Sequence, residues 1–301
     1  MAISPWTRGT RCGCDTDFSS STSPSGRIPC TRSTPTLPAT PGAQRRSVLS
    51  DGVGATAPDR LQREAEFHDE AFASNSREAT GKYYATARAA KAHYHEQILA
   101  GARDRTILEY GCGKGSAAFQ LAASGAHVTG IDISAVGIRE AQGRGRALGL
   151  EAQLQFRQMN AEVLDFNADS FDLVCGSGIL HHLDIARAVA EIVRVLRPGG
   201  EAIFFEPLGH NPIINLYRRL TPAMRSADEQ PLSMTDLDRI TNCFDGAQVS
   251  FFGLFTLLAA PLRPASDSKV LRVLEAVDRV VLRRSMLQRH AWIAVIRLTQ
   301  G

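Results

Sequence analysis

The segment Ile107–Gly115 reads ILEYGCGKG and joins a short apolar run to a helix-like segment through Gly111, Gly113 and Gly115. Glycine permits the sharp turn, and the close approach of backbone to ligand, that such a junction requires. The free N–H groups at the start of the next helix favour negative charge. This arrangement is typical of nucleotide-binding α/β folds. The spacing of the glycines indicates which kind of binding motif is present.

The glycine spacing disfavours two phosphate-binding motifs. A dinucleotide fingerprint has the pattern GxGxxG, but the third glycine arrives one residue early, and Ser116 stands where the fingerprint requires glycine. A P-loop has the pattern GxxxxGK followed by Ser or Thr, whereas Lys114 is followed by Gly115, and no glycine lies five residues before Gly113. Neither motif fits this chain.

The same segment, with Glu109 in front of its glycines, resembles the acidic-x-Gly-x-Gly-x-Gly motif of class I methyltransferases that use S-adenosylmethionine (SAM). It is most similar to the small-molecule enzymes of types 11 and 12. Further segments match this family's motifs in the family's order, between about residues 105 and 206: Val128–Ser134, Asn160–Glu162, Phe171–Leu183 and Leu196–Gly200. Five ordered matches are far more specific than one.

The resemblance implies SAM as the cofactor. The residues that it implies for cofactor binding are Glu109, Gly111, Gly113, Gly115, Asp132, Ile133, Asn160, Ala161, Glu162, Ser177 and Tyr83. Asp132 ends the second-strand motif, where the family's acid binds both ribose hydroxyls. Asn160 replaces the Asp typical of the family, although an amide oxygen can still accept from the adenine amine. Tyr83 either closes over the cofactor or packs on the sheet.

Short apolar runs alternate with helix-like segments from Thr106 onward, which predicts parallel strands with right-handed crossovers. The predicted strands are Thr106–Tyr110, His127–Ile131, Leu154–Met159, Phe171–Cys175, Ala202–Glu206, Gln248–Leu254 and His290–Leu298. We expect an α/β, Rossmann-like, doubly wound sheet of seven strands, five parallel plus an antiparallel C-terminal pair, with helical cap inserts. Arg197–Gly200 is predicted to be a turn that stops the preceding helix.

Three regions differ in composition. Residues 1–58 are rich in Ser, Thr, Pro and Arg and are predicted to be disordered, as a non-functional extension or as a transit peptide. Residues 59–104 are predicted to form an N-terminal helical cap. Residues 105–301 are predicted to form a SAM-binding methyltransferase domain with inserts at 207–245 and 255–288.

The acceptor is expected over the carboxyl ends of the strands, beside the cofactor. His182 is the first candidate for a catalytic residue there, followed by His181 and Glu206, although a purely structural histidine pair is as plausible. The first insert is expected to cover the substrate. The second is apolar and either walls an acceptor pocket, touches a membrane surface or packs on the sheet. These features favour a small, partly lipophilic metabolite of secondary metabolism.

The composition of the chain excludes several other classes of protein. Residues 59–301 hold 28 basic and 28 acidic residues, so they lack the basic face that nucleic-acid binding needs. The six cysteines lack paired zinc-site spacing, so no metal is predicted, and reduced thiols suggest a cytoplasmic protein. No apolar stretch is long enough for stable membrane insertion. We expect a monomer or homodimer.

Three other functions remain open on the sequence. A nicotinamide-dependent oxidoreductase on a similar fold is one, and a non-catalytic SAM-fold binding protein is another. A methyltransferase of macromolecules is disfavoured by the neutral body of the chain.

Overall fold

The computed structural model describes residues 57–73, 86–220, 229–262 and 268–301. Residues 1–56 of the segment 1–58 predicted to be disordered, and Tyr83 with its predicted role, lie outside these ranges. Ala57 and Pro58 are described and belong to a helix, so the predicted boundary is two residues late. Within them, no helix combines the length and the apolar composition that crossing a membrane would require.

Helices and strands alternate along most of the chain. The helices are α1 (Ala57–Ala73), α2 (Arg88–Leu99), α3 (Ala118–Ala123), α4 (Ala135–Ala147), α5 (Ile185–Val195), α6 (Pro212–Leu220), α7 (Met234–Thr241), α8 (Lys269–Val281) and α9 (Ser285–Gln288). The strands are β1 (Thr106–Tyr110), β2 (His127–Asp132), β3 (Leu154–Gln158), β4 (Phe171–Ser177), β5 (Leu196–Pro207), β6 (Gly246–Phe252) and β7 (Ile293–Thr299). Two 3-10 helices span Leu180–His182 and Thr256–Leu262.

The seven strands form one sheet in the order β3-β2-β1-β4-β5-β7-β6. Strands β1 to β5 pair in parallel, whereas β7 lies antiparallel between β5 and β6. The predicted doubly wound sheet with an antiparallel C-terminal pair is therefore confirmed. The strand order reverses between β1 and β4, which is where ligands bind in open sheets of this kind.

The central strand β1 is buried on both faces, so its side chains alternate between two cores. Ile107 packs into the core that contains helices α2, α3 and α4, where Ile98, Leu121 and Ile138 are also buried. Leu108 and Tyr110 point to the opposite face and join the core beneath α5 and α7. This alternation follows from the two-residue period of a strand, and it directs Glu109 to the side of α3.

Two helices begin at the carboxyl edge of the sheet with polar caps. The Ser134 hydroxyl accepts the Gly137 N–H at 3.0 Å at the start of α4. The Asp184 carboxylate accepts the Arg187 N–H at 3.2 Å at the start of α5. Such caps satisfy N–H groups that have no partner within the helix, and they fix where each helix begins.

The predicted turn at Arg197–Gly200 differs from the structure. Helix α5 ends at Val195 as expected, but residues 197–200 lie within β5 as an irregularity. Phe171 pairs with Leu196 and Leu173 pairs with Glu201, so the extra residues leave the ladder there. Gly199 has a φ of 76°, which accommodates this excursion without a side-chain clash.

Helix α8 leaves most of its valines exposed. Leu271 is buried, whereas Val270, Val273, Val277 and Val280 are exposed. The helix is held instead by Asp278, whose carboxylate accepts the N–H groups of residues 254–256 at distances between 2.6 and 3.2 Å. A buried polar contact therefore anchors α8 to the residues that follow β6, at the start of the second insert.

Candidate functional site

The loop after β1 turns through three glycines. Gly111, Gly113 and Gly115 have φ values of 69°, 53° and 84°, a region that residues with a side chain rarely occupy. A Cβ atom at Gly111 would lie 2.8 Å from the side chain of Ile179, so this position has no room for one. The glycines therefore bring the backbone itself to the surface of the site.

Glu109 fastens this loop to the start of α3. Its carboxylate accepts the Ser116 hydroxyl at 2.8 Å, the Ala117 N–H at 2.8 Å and the Ala118 N–H at 2.9 Å. Burial raises the pKa of Glu109 to about 7, even though the three hydrogen bonds favour the ionised form. Glu109 thus shapes the loop from behind and does not line the cavity described below.

Asp132 connects the same loop to the end of β2. Its Oδ2 atom accepts the Gly113 N–H at 2.8 Å, and its Oδ1 atom accepts the Ser134 N–H at 2.8 Å. Each carboxylate oxygen can accept a second hydrogen bond. The side chain is therefore held in one orientation and retains acceptor capacity for a ligand with two hydroxyls.

A cavity of about 530 Å³ opens at the carboxyl ends of β1, β2 and β4. Its volume falls in the range of sites for small molecules. It brings together most of the predicted site residues: Gly111, Gly113, Gly115, Asp132, Ile133, Asn160, Ala161, Ser177 and His182. Glu162, His181 and Glu206 do not line it.

Asn160 and Glu162 occupy different environments. Asn160 lies in the cavity wall, and its Oδ1 atom accepts the Glu162 N–H at 2.9 Å, so the oxygen predicted to meet adenine already has one partner. Glu162 is buried, pairs with Arg60 and accepts the Asp184 N–H at 2.8 Å. Glu162 therefore supports the turn before α5, and its contact with the cofactor stays a prediction.

His181 and Glu206 form a buried pair behind the cavity. His181 Nδ1 lies 2.8 Å from Glu206 Oε2, and Glu206 Oε1 accepts the N–H groups of Ile179 and Leu180 at 2.9 Å each. These bonds connect β5 to the 3-10 turn after β4. The pair thereby positions His182, which is the histidine that reaches the cavity wall.

Helix α1 forms a wall of the cavity that the sequence did not predict. Asp69 accepts the Ser134 hydroxyl and, at 3.1 Å, the Val136 N–H. The Phe72 carbonyl accepts from Lys114 Nζ at 2.9 Å, and Arg60 donates to the His182 carbonyl at 2.8 Å. These contacts bring Glu64 and His68 to the cavity, and the spacing of these two residues on one helix face was the only signal for them.

The described part of the two inserts does not line this cavity. In the first insert, Arg218 donates to the Leu208 carbonyl at 3.2 Å and to Asn215 Oδ1 at 3.1 Å. Arg219 is exposed, and Arg225 lies outside the described residues. In this structure α1 lines the cavity at the carboxyl edge of the sheet, and the cover expected from residues 207–245 stays a prediction.

The chain resembles known methyltransferases in sequence. Residues 108–204 match the model of a family described as a methyltransferase domain. A ubiquinone biosynthesis O-methyltransferase of Alkalilimnicola ehrlichii is 40% identical over 121 residues, which are 40% of this chain and 48% of the relative. A protein of the same name from Nitrosomonas europaea is 32% identical over 42% of this chain and 53% of its own length. The chain spans about half the length of these curated relatives.

Solved structures share the fold at low identity. A geranyl diphosphate C-methyltransferase from Streptomyces coelicolor, solved with Mg²⁺, a substrate analogue and S-adenosyl-L-homocysteine, has a TM-score of 0.53 at 14% identity, over 71% of this chain and 76% of that one. The YcgJ protein of a Bacillus species has a TM-score of 0.50 at 19% identity, over 69% and 98%. These comparisons confirm the Rossmann-like fold and the resemblance that the motifs indicate.

Proposed function

We propose that this chain, whose residues 108–204 match a model described as a methyltransferase domain, transfers a methyl group from SAM in line to a small, partly lipophilic metabolite. One observation carries the proposal. The glycine loop and Asp132 are joined by the 2.8 Å bond from the Gly113 N–H, and both line the same cavity at the switch point of the sheet.

The residues present fit SAM chemically. The two oxygens of Asp132 suit a pair of ribose hydroxyls, because each keeps an acceptor position after binding a backbone N–H. Ile133 and Ala161 offer apolar surface to an adenine ring, and the exposed backbone of the glycine loop suits the polar amino-acid end of SAM. When bound, SAM supplies an electrophilic methyl group on its sulfonium.

The acceptor is proposed to lie against the wall that α1 and the 3-10 turn form. This wall carries two imidazole rings, those of His68 and His182. Its apolar surface comes from Leu61, Phe72, Ile179 and Leu183. That mixture suits an acceptor with a carbon skeleton and one reacting hydroxyl or similar group. The names of the ubiquinone biosynthesis O-methyltransferases that the chain resembles support an acceptor of this kind.

Three side chains are proposed to serve the transfer. His182 orients the acceptor and assists the loss of its proton, since this ring lies in the cavity wall. His181 and Glu206 act as positioning residues through their buried pair beneath the same turn. Most of the rate acceleration then comes from holding the acceptor close to the methyl group. In favourable intramolecular reactions such proximity supplies ~7 to 11 kcal/mol.

The site of action is proposed to be the cytoplasm, with the protein acting as a monomer or homodimer. The described cysteines, Cys112, Cys175 and Cys243, are all free thiols, which suits a reducing compartment. Burial raises the pKa of the Cys112 thiol well above its usual value, so this residue is unsuited to nucleophilic work beside the loop.

The test uses the full chain, SAM carrying a labelled methyl group, and an extract of the producing cells. We expect the label in a small molecule that partitions into organic solvent, identified by mass spectrometry. His182→Ala is expected to slow the transfer by ~100-fold or more without loss of SAM binding. His127→Ala, which changes an exposed histidine at the start of β2, is the matched control and should be unaffected. Label on protein or RNA, or none at all, would contradict the proposal.

A further inference from the structure

Three potential metal ligands meet in the wall of the cavity. Glu64 Oε2 lies 3.1 Å from His182 Nδ1 and 3.4 Å from His68 Nε2, and the three ligand atoms all lie within 4.8 Å of one another. The side chains are largely withdrawn from solvent, with exposures of 6% for Glu64, 10% for His182 and 13% for His68. All three line the cavity beside the glycine loop.

The arrangement is built from two distant segments. Glu64 and His68 are four residues apart in α1 and so share one helix face. His182 comes from the 3-10 turn after β4. Arg60, one turn earlier in α1, donates to the His182 carbonyl at 2.8 Å and joins the two segments. The ligand atoms are therefore brought together by the fold and not by sequence proximity.

The distances suit coordination of one ion. Imidazole nitrogen and carboxylate oxygen bind Zn²⁺ and related ions at ~2.0 to 2.2 Å, so ligand atoms around a tetrahedral ion lie ~3.4 Å apart. The separations of 3.1 and 3.4 Å from Glu64 Oε2 agree with this spacing. His182 Nδ1 is also buried and makes no hydrogen bond to any described residue, despite its short approach to Glu64. A cation between Glu64 and His182 would give His182 Nδ1 a partner.

We propose that Glu64, His68 and His182 hold a divalent transition-metal cation, such as Zn²⁺, with coordination positions open to the cavity. Two imidazoles and one carboxylate form a ligand set typical of catalytic sites, in which the remaining positions take water or substrate. The cation site is independent of methyl transfer. Its consequence for the reaction rests on the proposed function: an acceptor with a hydroxyl, such as a phenol or enol, would bind the cation through its oxygen, which would lower the pKa of that hydroxyl. Its proton would then pass to solvent, and His182 would assist this loss as a ligand of the cation.

Two other arrangements compete for the same histidine. One is a metal-free pair between Glu64 and a protonated His182 or His68. The other is a neighbouring set formed by His181, His182 and Glu229, in which only His182 lines the cavity. In that set His181 Nδ1 is already engaged by Glu206, and His181 Nε2 is 3.9 Å from Glu229. The cavity-facing set is the one that an acceptor can reach.

The test measures Co²⁺ and Zn²⁺ binding by the full chain, freed of metal by a chelator, without SAM or acceptor. We expect one Co²⁺ per chain, with visible absorption bands of a four- or five-coordinate site that Zn²⁺ displaces. Glu64→Gln and His68→Gln should each weaken binding at least tenfold. Glu229→Gln is the matched carboxylate control and should leave affinity unchanged. Unfolding midpoints recorded in chelator identify variants that fail to fold, and for those Glu64→Asp replaces Glu64→Gln.

Cysteines provide the remaining control. Cys12 and Cys14 could bind Co²⁺ as thiolates, which adds a sulfur-to-cobalt band in the near ultraviolet, so the titration is repeated with both changed to serine. The proposal is overturned by absence of saturable binding, by binding that persists in Glu64→Gln and His68→Gln, or by binding that Glu229→Gln alone removes. None of these results would affect SAM binding at Asp132, so failure here is separable from failure of the proposed function.

Discussion

Glu109 is a buried carboxylate, and its burial disfavours the ionised form. Its oxygens hold the hydroxyl of Ser116 and the first N–H groups of α3, yet its pKa is raised to about 7 because no solvent reaches it. Its role in cofactor binding stays a prediction, and the structure shows that it holds the loop from beneath. The stability of the loop should therefore depend on the protonation of this side chain.

Stability should fall with rising pH through the titration of Glu109. The pKa is about 7 in the folded protein against 4.5 for the free group, so between these pH values the folded protein retains a proton that the unfolded chain has lost. The free energy of unfolding therefore decreases as pH rises through this window, by at most ~3 kcal/mol. Urea unfolding of the wild type and of Glu109→Gln at several pH values measures it. Parallel curves for the two proteins would contradict the assignment.

Gly113→Ala should disrupt the loop. Gly113 has a φ of 53°, and a Cβ there would lie 2.9 Å from the ring of Phe72 in α1, so the substitution strains the backbone and displaces the wall of the cavity. We expect destabilisation of ~1 to 3 kcal/mol and weaker SAM binding. Gly143→Ala is the matched control: it lies inside α4 with no atom near its Cβ position, and it should stabilise by ~0.5 to 1 kcal/mol. Equal effects of the two would count against this description.

At the scale of elements, α1 and α8 each dock through polar contacts. Helix α1 is attached by Arg60 and Asp69, and α8 by Asp278, which accepts three N–H groups and the Thr256 hydroxyl. The four exposed valines of α8 contribute little to this attachment. The apolar composition of the second insert left its packing open, and the structure shows that a polar side chain makes the contact.

Asp278→Ala should therefore destabilise the protein far more than a change in the exposed valines. Loss of the carboxylate leaves buried N–H groups of residues 254–256 without an acceptor, at ~1 to 3 kcal/mol for each unsatisfied group. Val273→Ser changes a residue that is 62% exposed and should alter the free energy of unfolding by less than ~0.5 kcal/mol. Chemical denaturation of both variants measures the change in the free energy of unfolding that each substitution causes. A large loss of unfolding free energy in Val273→Ser would mean that this valine is buried in solution.

At the scale of the whole molecule, the sheet and the glycine loop could be predicted because their signals are local. Apolar runs that alternate with helix-like segments predicted the strands. The spacing of Gly111, Gly113 and Gly115, together with Asp132, indicated the cofactor. The wall formed by α1 could not be predicted, since Arg60 and His182 meet across 122 residues of sequence. No spacing rule connects residues so far apart, and only the packed fold shows that Glu64 and His68 reach the cavity.

The central claim is that the glycine loop and Asp132 form one SAM site. Calorimetric titration of the full chain with SAM tests it most directly. We predict saturable binding of one SAM per chain, loss of at least tenfold in affinity for Asp132→Ala, and unchanged binding for the exposed control Asp165→Ala, with no binding of NADH. Undiminished SAM affinity in Asp132→Ala, or binding of NADH in place of SAM, would contradict the account.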